Sequence, residues 1–593
     1  MIKGGTVAQI VGDHLVGVLT ELGVCRAVVS PGSRNSPLVF GVARRDTWDI
    51  EVILDERSAG FFALGWARAT GEPVVLICTS GSAGAHYLPA VIEAYHSQVP
   101  LVLLTANRPE ELHGLGALQT TKQANFFTDF TRGSIHIPAH REEGLAYHLY
   151  ELEHSLVATL DSLWNGIAGP VHVDVAFREP LFIEDFSYGE CSRSGLLGPQ
   201  RSSHVLGQEE IERLSLSLVM KRKGAIVVGP LLDSMRDERD FPAAVDALAD
   251  LMGWPIFIEA TSLRESWRAF SSHIIFRPDL VFRALEGRED ATPEVVIQIG
   301  QTPTSKALMR WMSHPKVLRF GLEPSGTPFD PLRTQTEMIE ADVVSTLRAL
   351  TSNLKFIDDH EPVGAWWLSA WRSLNPISDS LGAECDGKGL WEKDVMEVVA
   401  HEVDERATLH LANSMAIRSY DQFGGQGLLP QDVFASRGVS GIDGTIATSL
   451  GESKGSGLKP MVVLLGDLTF LHDLGSLQLA CETSAPITLL VMDNDGGGIF
   501  RFLPVAEGGD IFQKFFIKPH GLELSELVSG FGLATYEVFD RGSLESTLNQ
   551  IIEAPGVKIV IAKVDGEVSI LKHRVFFERS ASRLTDAWEE SVG

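Results

Sequence analysis

The chain has 593 residues, 44% of them hydrophobic and 22% charged, with 50 basic against 78 acidic side chains and a formal charge of −28. Such a length calls for about two to four domains with a sizeable buried core, and the composition is that of an ordinary globular protein. The acidic balance argues against a nucleic-acid partner, which needs a basic face, and against docking on anionic lipid. It leaves room for an anionic small substrate held by a few well-placed arginines.

The N-terminal stretch "MIKGGTVAQIVGDHLVGVLTELG" reads as an amphipathic helix and not as a secretory leader. No apolar run reaches the ~18 residues of a membrane span. Five scattered cysteines, Cys25, Cys78, Cys191, Cys385 and Cys481, form no CxxC pair. They read as reduced thiols of a cytoplasmic protein without a zinc site. Short apolar runs at 72–81, 99–109, 169–177, 224–230, 294–300, 461–467, 486–495 and 557–566 alternate with longer helical patterns. Their nearly unbroken apolar character is that of parallel strands buried on both faces. The fold class is therefore α/β, built from right-handed βαβ units. Polar stretches at 185–204 and from Thr351 to Gly389 read as linkers. They divide the chain into domains at 1–185, 205–350 and 390–593, each a parallel sheet flanked by helices. Residues 72–109 and 459–495 share a layout of Pro, strand, small polar loop, helix and Pro-led strand. Either the first and third domains have one fold in common, or the echo is only that of a recurring motif. In the middle domain "VVGPLLDS" (227–234) is too short a glycine signal for a nucleotide fingerprint.

The chemistry concentrates at strand ends. In "AVVSPGSRNSPLVFGVARR" (27–45) a strand hands over to a helix through small polar residues and one arginine. Further on, Asp467 closes one strand and Asn494 closes the next, 27 residues later. Open α/β sheets place ligands at such ends. A carboxylate, an amide oxygen and a nearby carbonyl suit Mg²⁺ and leave positions for diphosphate oxygens. The glycines after Asn494 permit close backbone approach. The plain alternative is a helix-capping Asp followed by a DNDGGG turn.

This spacing resembles the diphosphate–magnesium motif of thiamine diphosphate enzymes, GDG followed by NN, with Leu468 at the third position and Asp493–Asn494 as the pair. Such enzymes need a carboxylate from another domain. "VILDERSAGFFALGWARATG" (52–71) offers Glu56, with Asp55 as its rival and a dipole-stabilised surface carboxylate as the plain reading. Hydrogen-bonded to the aminopyrimidine N1′, Glu56 would promote the imino tautomer that activates the thiazolium carbon.

Seven motifs, "SPGSRNSPL", "DERSAGFFALG", "TSGSAGAHYLPAVIEA", "LTANRPEELHGLGALQT", "ANSMAIR", "ASRGVSGIDG" and "GDLTFLHDL", then resemble the MenD family, the 2-succinyl-5-enolpyruvyl-6-hydroxy-3-cyclohexene-1-carboxylate synthases of menaquinone biosynthesis. They stand in family order over nearly the whole chain, and GDL in place of GDG is typical of that family. The resemblance implies a three-domain thiamine diphosphate-binding fold. It also implies decarboxylation of 2-oxoglutarate and 1,4-addition of the remaining four-carbon unit to isochorismate, with no redox step. Mg²⁺ (or Mn²⁺) would be held by Asp467, Asn494 and the Gly496 carbonyl, and the cofactor also by Ser414, Ile499 and Phe500. Both substrates are dicarboxylates, which arginine binds bidentately. Ser33 and Arg34 resemble the family's isochorismate-binding pair, joined by Arg108, Gln119 and, from the middle domain, Lys306. Arg418 and Arg437, with Asn413 and Ser414, would serve 2-oxoglutarate or shared carboxylates. For any single loop arginine the plain reading is a solvated surface charge. Some relatives carry Lys–Arg where this chain has Lys306–Ala307, and Arg310 lies one helical turn beyond. His86, beside apolar residues, reads as packed, and neither it nor His113 forms a His–His pair, so a largely histidine-free site is expected. The superfamily builds its site from two chains, which implies a homodimer or a dimer of dimers. The alternatives are another thiamine diphosphate-dependent 2-oxoacid decarboxylase or acyl-transferring synthase, and a non-catalytic cofactor-binding relative. The end product of the pathway, menaquinone or phylloquinone, stays open.

Overall fold

The computed structural model describes residues 5–164, 167–184, 186, 204–232, 235, 240–327, 329–357, 364–382, 389–424 and 427–592. The expected amphipathic helix forms over Val7–Glu21. Its start is closed by a capping box, the Thr6 hydroxyl accepting from the Gln9 amide (3.0 Å) and the Gln9 side chain accepting from the Thr6 amide (3.2 Å). Val11, Leu15, Val18 and Leu22 are buried along one face.

Three six-stranded, all-parallel sheets follow in chain order. The first holds β1 (Arg26–Val29), β2 (Asp49–Val52), β3 (Val74–Cys78), β4 (Leu101–Asn107), β5 (Gly133–Ile137) and β6 (Val171–Ala176), in the order β2-β1-β3-β4-β6-β5. The second holds β7 (Gly224–Val228), β8 (Ile256–Ile258), β9 (Ile274–Ile275), β10 (Val295–Ile299), β11 (Leu318–Glu323) and β12 (Glu337–Glu340), in the order β12-β11-β10-β7-β8-β9. The third holds β13 (Thr408–Leu411), β14 (Asp432–Phe434), β15 (Met461–Gly466), β16 (Ile487–Asp493), β17 (Ala534–Val538) and β18 (Val557–Lys563), in the order β14-β13-β15-β16-β18-β17. The first and third orders are identical, and the echoing segments 72–109 and 459–495 supply the equivalent pairs β3–β4 and β15–β16. Central strands such as β3, β4 and β16 are buried at every position, which is why they carry no polar alternation.

The middle sheet has the doubly wound order, with its switch point between β7 and β10. There the two following loops bond to each other: the Gly229 amide donates to the Ile299 carbonyl (3.0 Å) and the Gln301 amide to the Pro230 carbonyl (2.9 Å). Of the two expected linkers, 185–204 lies almost wholly outside the described residues. The stretch from Thr351 to Gly389 is helical where it is described, over Ala365–Arg372 and Leu374–Gly382. Trp367 and Trp371, one turn apart, are fully buried and pack at 5.8 and 4.8 Å on Trp588 of the C-terminal helix Gly566–Val592. The Trp367 indole also donates to the Gly224 carbonyl (2.9 Å). An aromatic face therefore outweighs the helix-breaking composition around it. Cys25, Cys78 and Cys481 are free thiols, and burial pushes the Cys78 thiol well up. Cys191 and Cys385 lie outside the described residues. Among the described residues no helix is long and apolar enough to cross a membrane.

Contacts divide the chain into two compact units, one of Met1–Ser202, Ser436–Leu458 and His472–Glu482, the other of Ser203–Ala435, Lys459–Leu471 and Thr483–Gly593. Within the first, the helix Thr445–Gly455 lies directly on the helix Glu56–Thr70. A Cβ at Gly65 would stand 2.0 Å from the Thr448 carbonyl oxygen, and one at Gly451 2.0 Å from that of Phe62. Gly65→Ala is therefore expected to destabilise by about 1–3 kcal/mol and to lower the calorimetric unfolding temperature; an unchanged temperature would contradict this packing.

Candidate active site

In the second unit the site grows from the ends of β15 and β16. Asp467 opens the helix Asp467–His472 directly after β15 and is only 2% exposed. Its Oδ1 accepts from the Leu468 amide (2.6 Å), and its Oδ2 from the amides of Asn494 (3.2 Å) and Gly496 (2.8 Å). Burial pushes this carboxyl above the usual range, against the pull of the Gly496 and Leu468 amides. Gly496 has φ +133°, and a Cβ there would meet the Ile517 carbonyl oxygen at 2.3 Å. A side chain is thus excluded where the backbone crosses the strand ends. Ile499 and Phe500 follow in the turn Gly498–Phe502, both half-buried, with Phe500 edge-on to Phe516 at 5.6 Å.

Asp493, where the general motif has Asn, faces a lysine and a histidine. Lys563 Nζ lies 2.9 Å from its Oδ2 and His520 Nε2 lies 3.5 Å from its Oδ1. His520 Nε2 is also 3.3 Å from Asp467 Oδ2. The extra carboxylate is answered locally, which accounts for the departure from Asn–Asn. His520 is a histidine of this cluster that the sequence did not single out. It stands in "IKPHGLEL", which matches no motif, and only the fold brings it 53 residues back to Asp467. In the same unit Asn413 is buried and Ser414 begins the helix Met415–Phe423 at φ 67°, ψ −125°, an uncommon conformation for a non-glycine residue. Arg418, one turn on, donates to the Ser414 carbonyl (2.5 Å). Lys306 opens the helix Lys306–Met312 and is exposed, while Arg310 pairs at the surface with Glu286 (3.1 Å).

In the first unit the loops after β1, β3 and β4 converge. Ser33 is exposed, but Arg34 is 5% exposed and donates to the Phe177 carbonyl and to Glu179 Oε1, each at 3.0 Å. Arg108 donates to Gln119 Oε1 (3.1 Å). Gln119 is exposed, at φ 55°. Burial, and next the neighbouring Arg108 charge, hold the Arg34 guanidinium below the usual arginine range. Both arginines keep a buried Nε without a hydrogen-bond partner. Two neighbouring guanidinium groups, each with an unsatisfied donor, are an arrangement that an anion complements. Beneath them Asp174, on β6 and fully buried, accepts from Thr105 (2.8 Å), Asn107 (2.7 Å), Gln123 (2.8 Å) and His136 (2.8 Å). Asn107 in turn receives the Arg108 amide (2.7 Å), and Gln123 the Gly81 amide (3.2 Å).

Glu56 is the first residue of its helix and half-buried. Its rival Asp55 is the cap, accepting from the Arg57 amide (2.9 Å). Arg437 lies in the loop that precedes the helix Thr445–Gly455. His86, expected to be packed, is exposed: it falls in the 3₁₀ turn Ala83–Tyr87, where Ala83, Gly84 and Tyr87 point inward, so α-helical spacing does not apply. His113 is half-buried, with Nε2 3.0 Å from the Arg108 carbonyl.

Residues 10–126 match the thiamine pyrophosphate enzyme N-terminal TPP binding domain, and residues 422–562 the C-terminal TPP binding domain. A 2-succinyl-5-enolpyruvyl-6-hydroxy-3-cyclohexene-1-carboxylate synthase from Listeria innocua is 33% identical over 97% of this chain and 98% of its own length. The synthase of that name from Myxococcus xanthus is 34% identical over 96% and 97%, and that from Geobacillus kaustophilus 32% over 97% and 98%. The chain belongs to this synthase family. A solved structure assigned as a thiamin diphosphate-dependent enzyme from Mycobacterium smegmatis shares the fold, with a TM-score of 0.69 over 94% of this chain and 99% of that one, at 17% identity. That fold extends over nearly the whole chain. The donor set at Asp467, Asn494 and the Gly496 carbonyl fits a divalent ion in its chemistry: hard oxygens, one of them a desolvated carboxylate.

The His136–Asp174 pair gives a pH signature. The Asp174 hydrogen bond raises the His136 pKa against burial, while His136 and Asn107 hold Asp174 below its usual range despite burial. The histidine contribution is present below its unfolded value of ~6.5 and is lost as pH rises through the raised folded value. The aspartate contribution is present above ~3.9 and is lost as pH falls below it. Urea unfolding of the whole chain should therefore show stability falling above pH ~6.5, and His136→Asn should flatten that slope. An equal slope in the variant would contradict the pairing.

Proposed function

We propose that this chain is a thiamine diphosphate- and Mg²⁺- (or Mn²⁺-) dependent carboligase of the cytoplasm. It releases CO₂ from 2-oxoglutarate and joins the remaining four-carbon unit to isochorismate, giving 2-succinyl-5-enolpyruvyl-6-hydroxy-3-cyclohexene-1-carboxylate. The reading rests on the family membership and on one observation above all: the neighbouring pair Arg34 and Arg108, with two buried, unsatisfied Nε donors. A decarboxylase of simple 2-oxo acids has no need of such paired carboxylate anchors, which sets that runner-up aside. The non-catalytic alternative is disfavoured because Glu56, Asp467 and Asn494 are all present.

When bound, thiamine diphosphate supplies the electron sink that lets a 2-oxo acid lose CO₂ and its carbonyl carbon act as a nucleophile. Asp467, Asn494 and the Gly496 carbonyl would hold the metal that carries the diphosphate. Ser414, Ile499 and Phe500 would line the cofactor, and Glu56 would hold a proton at the aminopyrimidine. Arg34, Arg108, Ser33 and Gln119 bind and orient isochorismate, and Lys306 assists from the middle domain. Arg418 and Arg437, with Asn413, take the carboxylates of 2-oxoglutarate. No oxidant or reductant is needed, since one C–C bond breaks, one forms, and a proton is taken up at the alkene.

Two experiments test the reading. Product should form only when both substrates, cofactor and metal are supplied, and Glu56→Gln should lower the rate by about 10²–10⁴-fold; turnover of either substrate alone to the same extent would favour the runner-up. The subunits are expected to pair so that Glu56 of one chain serves the metal-held cofactor of its partner. Co-expressed Glu56→Gln and Asp467→Asn subunits should then recover about a quarter of wild-type activity through mixed dimers with one intact site. No recovery would mean that each chain builds its own site.

A further inference from the structure

The helix Leu88–Ser97 carries a carboxylate outside the site described above. Glu93 is 3% exposed, and its ion pair is with the buried Arg68, not with a surface charge. Its two oxygens are spent on a loop far along the chain: Oε1 accepts from the Gly438 amide (2.8 Å) and Oε2 from the Val439 amide (2.7 Å). Oε1 also accepts from the Ser97 hydroxyl (2.8 Å) and faces Arg68 Nη2 at 3.4 Å. Arg68, itself 3% exposed, continues through Nη1 to Glu452 Oε1 (3.1 Å) and to the Ser436 hydroxyl (3.3 Å). The loop approaches so closely that a Cβ at Gly438 would lie 2.7 Å from both the Glu93 carbonyl oxygen and the Ser97 hydroxyl.

The residue enclosed by these contacts is Arg437. Ser436, on one side, is gripped by Arg68; Gly438 and Val439, on the other, are gripped by Glu93. A buried carboxylate bonded to two consecutive amides is a short, charge-assisted clamp, and removing one partner of such a buried set leaves groups unsatisfied. We propose that Glu93 is a positioning residue that fixes the Arg437 loop, and through it the guanidinium that binds a substrate carboxylate. The substrate part of this inference rests on the reaction proposed above; the loop-holding part does not. Arg68 and Glu452 complete the support by keeping the clamp in a fixed rotamer.

The test uses the full-length holoenzyme and the variants Glu93→Gln, Arg437→Ala and their double. Amide exchange followed by mass spectrometry should show residues 436–441 exchanging about tenfold faster or more in Glu93→Gln, the scale of a lost hydrogen bond to a charged group. The kcat/KM for 2-oxoglutarate should fall by about tenfold or more for the same reason, with the change carried mainly by KM. In the Arg437→Ala background, Glu93→Gln should cause no further loss of activity, although it still lowers the unfolding temperature. Unchanged exchange in the loop, or an equal activity loss with and without Arg437, would overturn the proposal. Where Glu93→Gln does not fold, Gly438→Ala replaces it: it displaces the loop while keeping the carboxylate, and the same pattern is expected. If the wild-type enzyme fails to turn over the two substrates, the reaction assignment falls, while the exchange measurement still decides whether Glu93 holds the loop.

Discussion

A carboxylate taken out of water must be met by donors, and Asp467 is met largely by backbone: the amides of Leu468, Asn494 and Gly496 all turn toward it. That single arrangement fixes how β15 and β16 end relative to each other. It forces the chain after Asn494 into the φ +133° path that only glycine follows without strain, and it sets where Ile499 and Phe500 emerge. Burial pushes this carboxyl's pKa up, and the backbone amides of Gly496 and Leu468 pull it back.

The same economy of buried charge recurs in the first unit with the opposite sign. Arg34 and Arg108 are brought together, each with an unsatisfied Nε, and Asp174 holds the strand ends beneath them through Asn107 and Gln123. The asymmetry is informative. Asp174 and Glu93 are fully occupied by hydrogen bonds and serve to hold loops. Arg34 and Arg108 each keep one Nε donor without a partner.

The parallel strands were legible because residues buried on both faces must be apolar throughout, and runs such as "VVLIC" and "ITLLVMD" leave no other reading. The strand-end positions of Asp467 and Asn494 were legible because strand ends lie at fixed points between an apolar run and a glycine turn. His86 was misread because its segment is a 3₁₀ turn and helical spacing has no meaning there. The helices between Thr351 and Gly389 were read as linker because their stability comes from Trp367 and Trp371 packing on Trp588, a contact more than two hundred residues distant in sequence.

By itself, the order of residues determined the α/β class, the positions of most strands, the candidate ligands Asp467 and Asn494 and the family to which the chain belongs, because each of these is written in local periodicity or in contiguous motifs. Only the tertiary structure decided that Asp493 is balanced by Lys563 and His520, that Asp55 is a cap while Glu56 is not, and that Glu93 reaches the loop of Arg437. Those outcomes depend on which side chains meet after the chain has crossed from one strand or helix to another, and no local pattern encodes a meeting between residues tens to hundreds of positions apart.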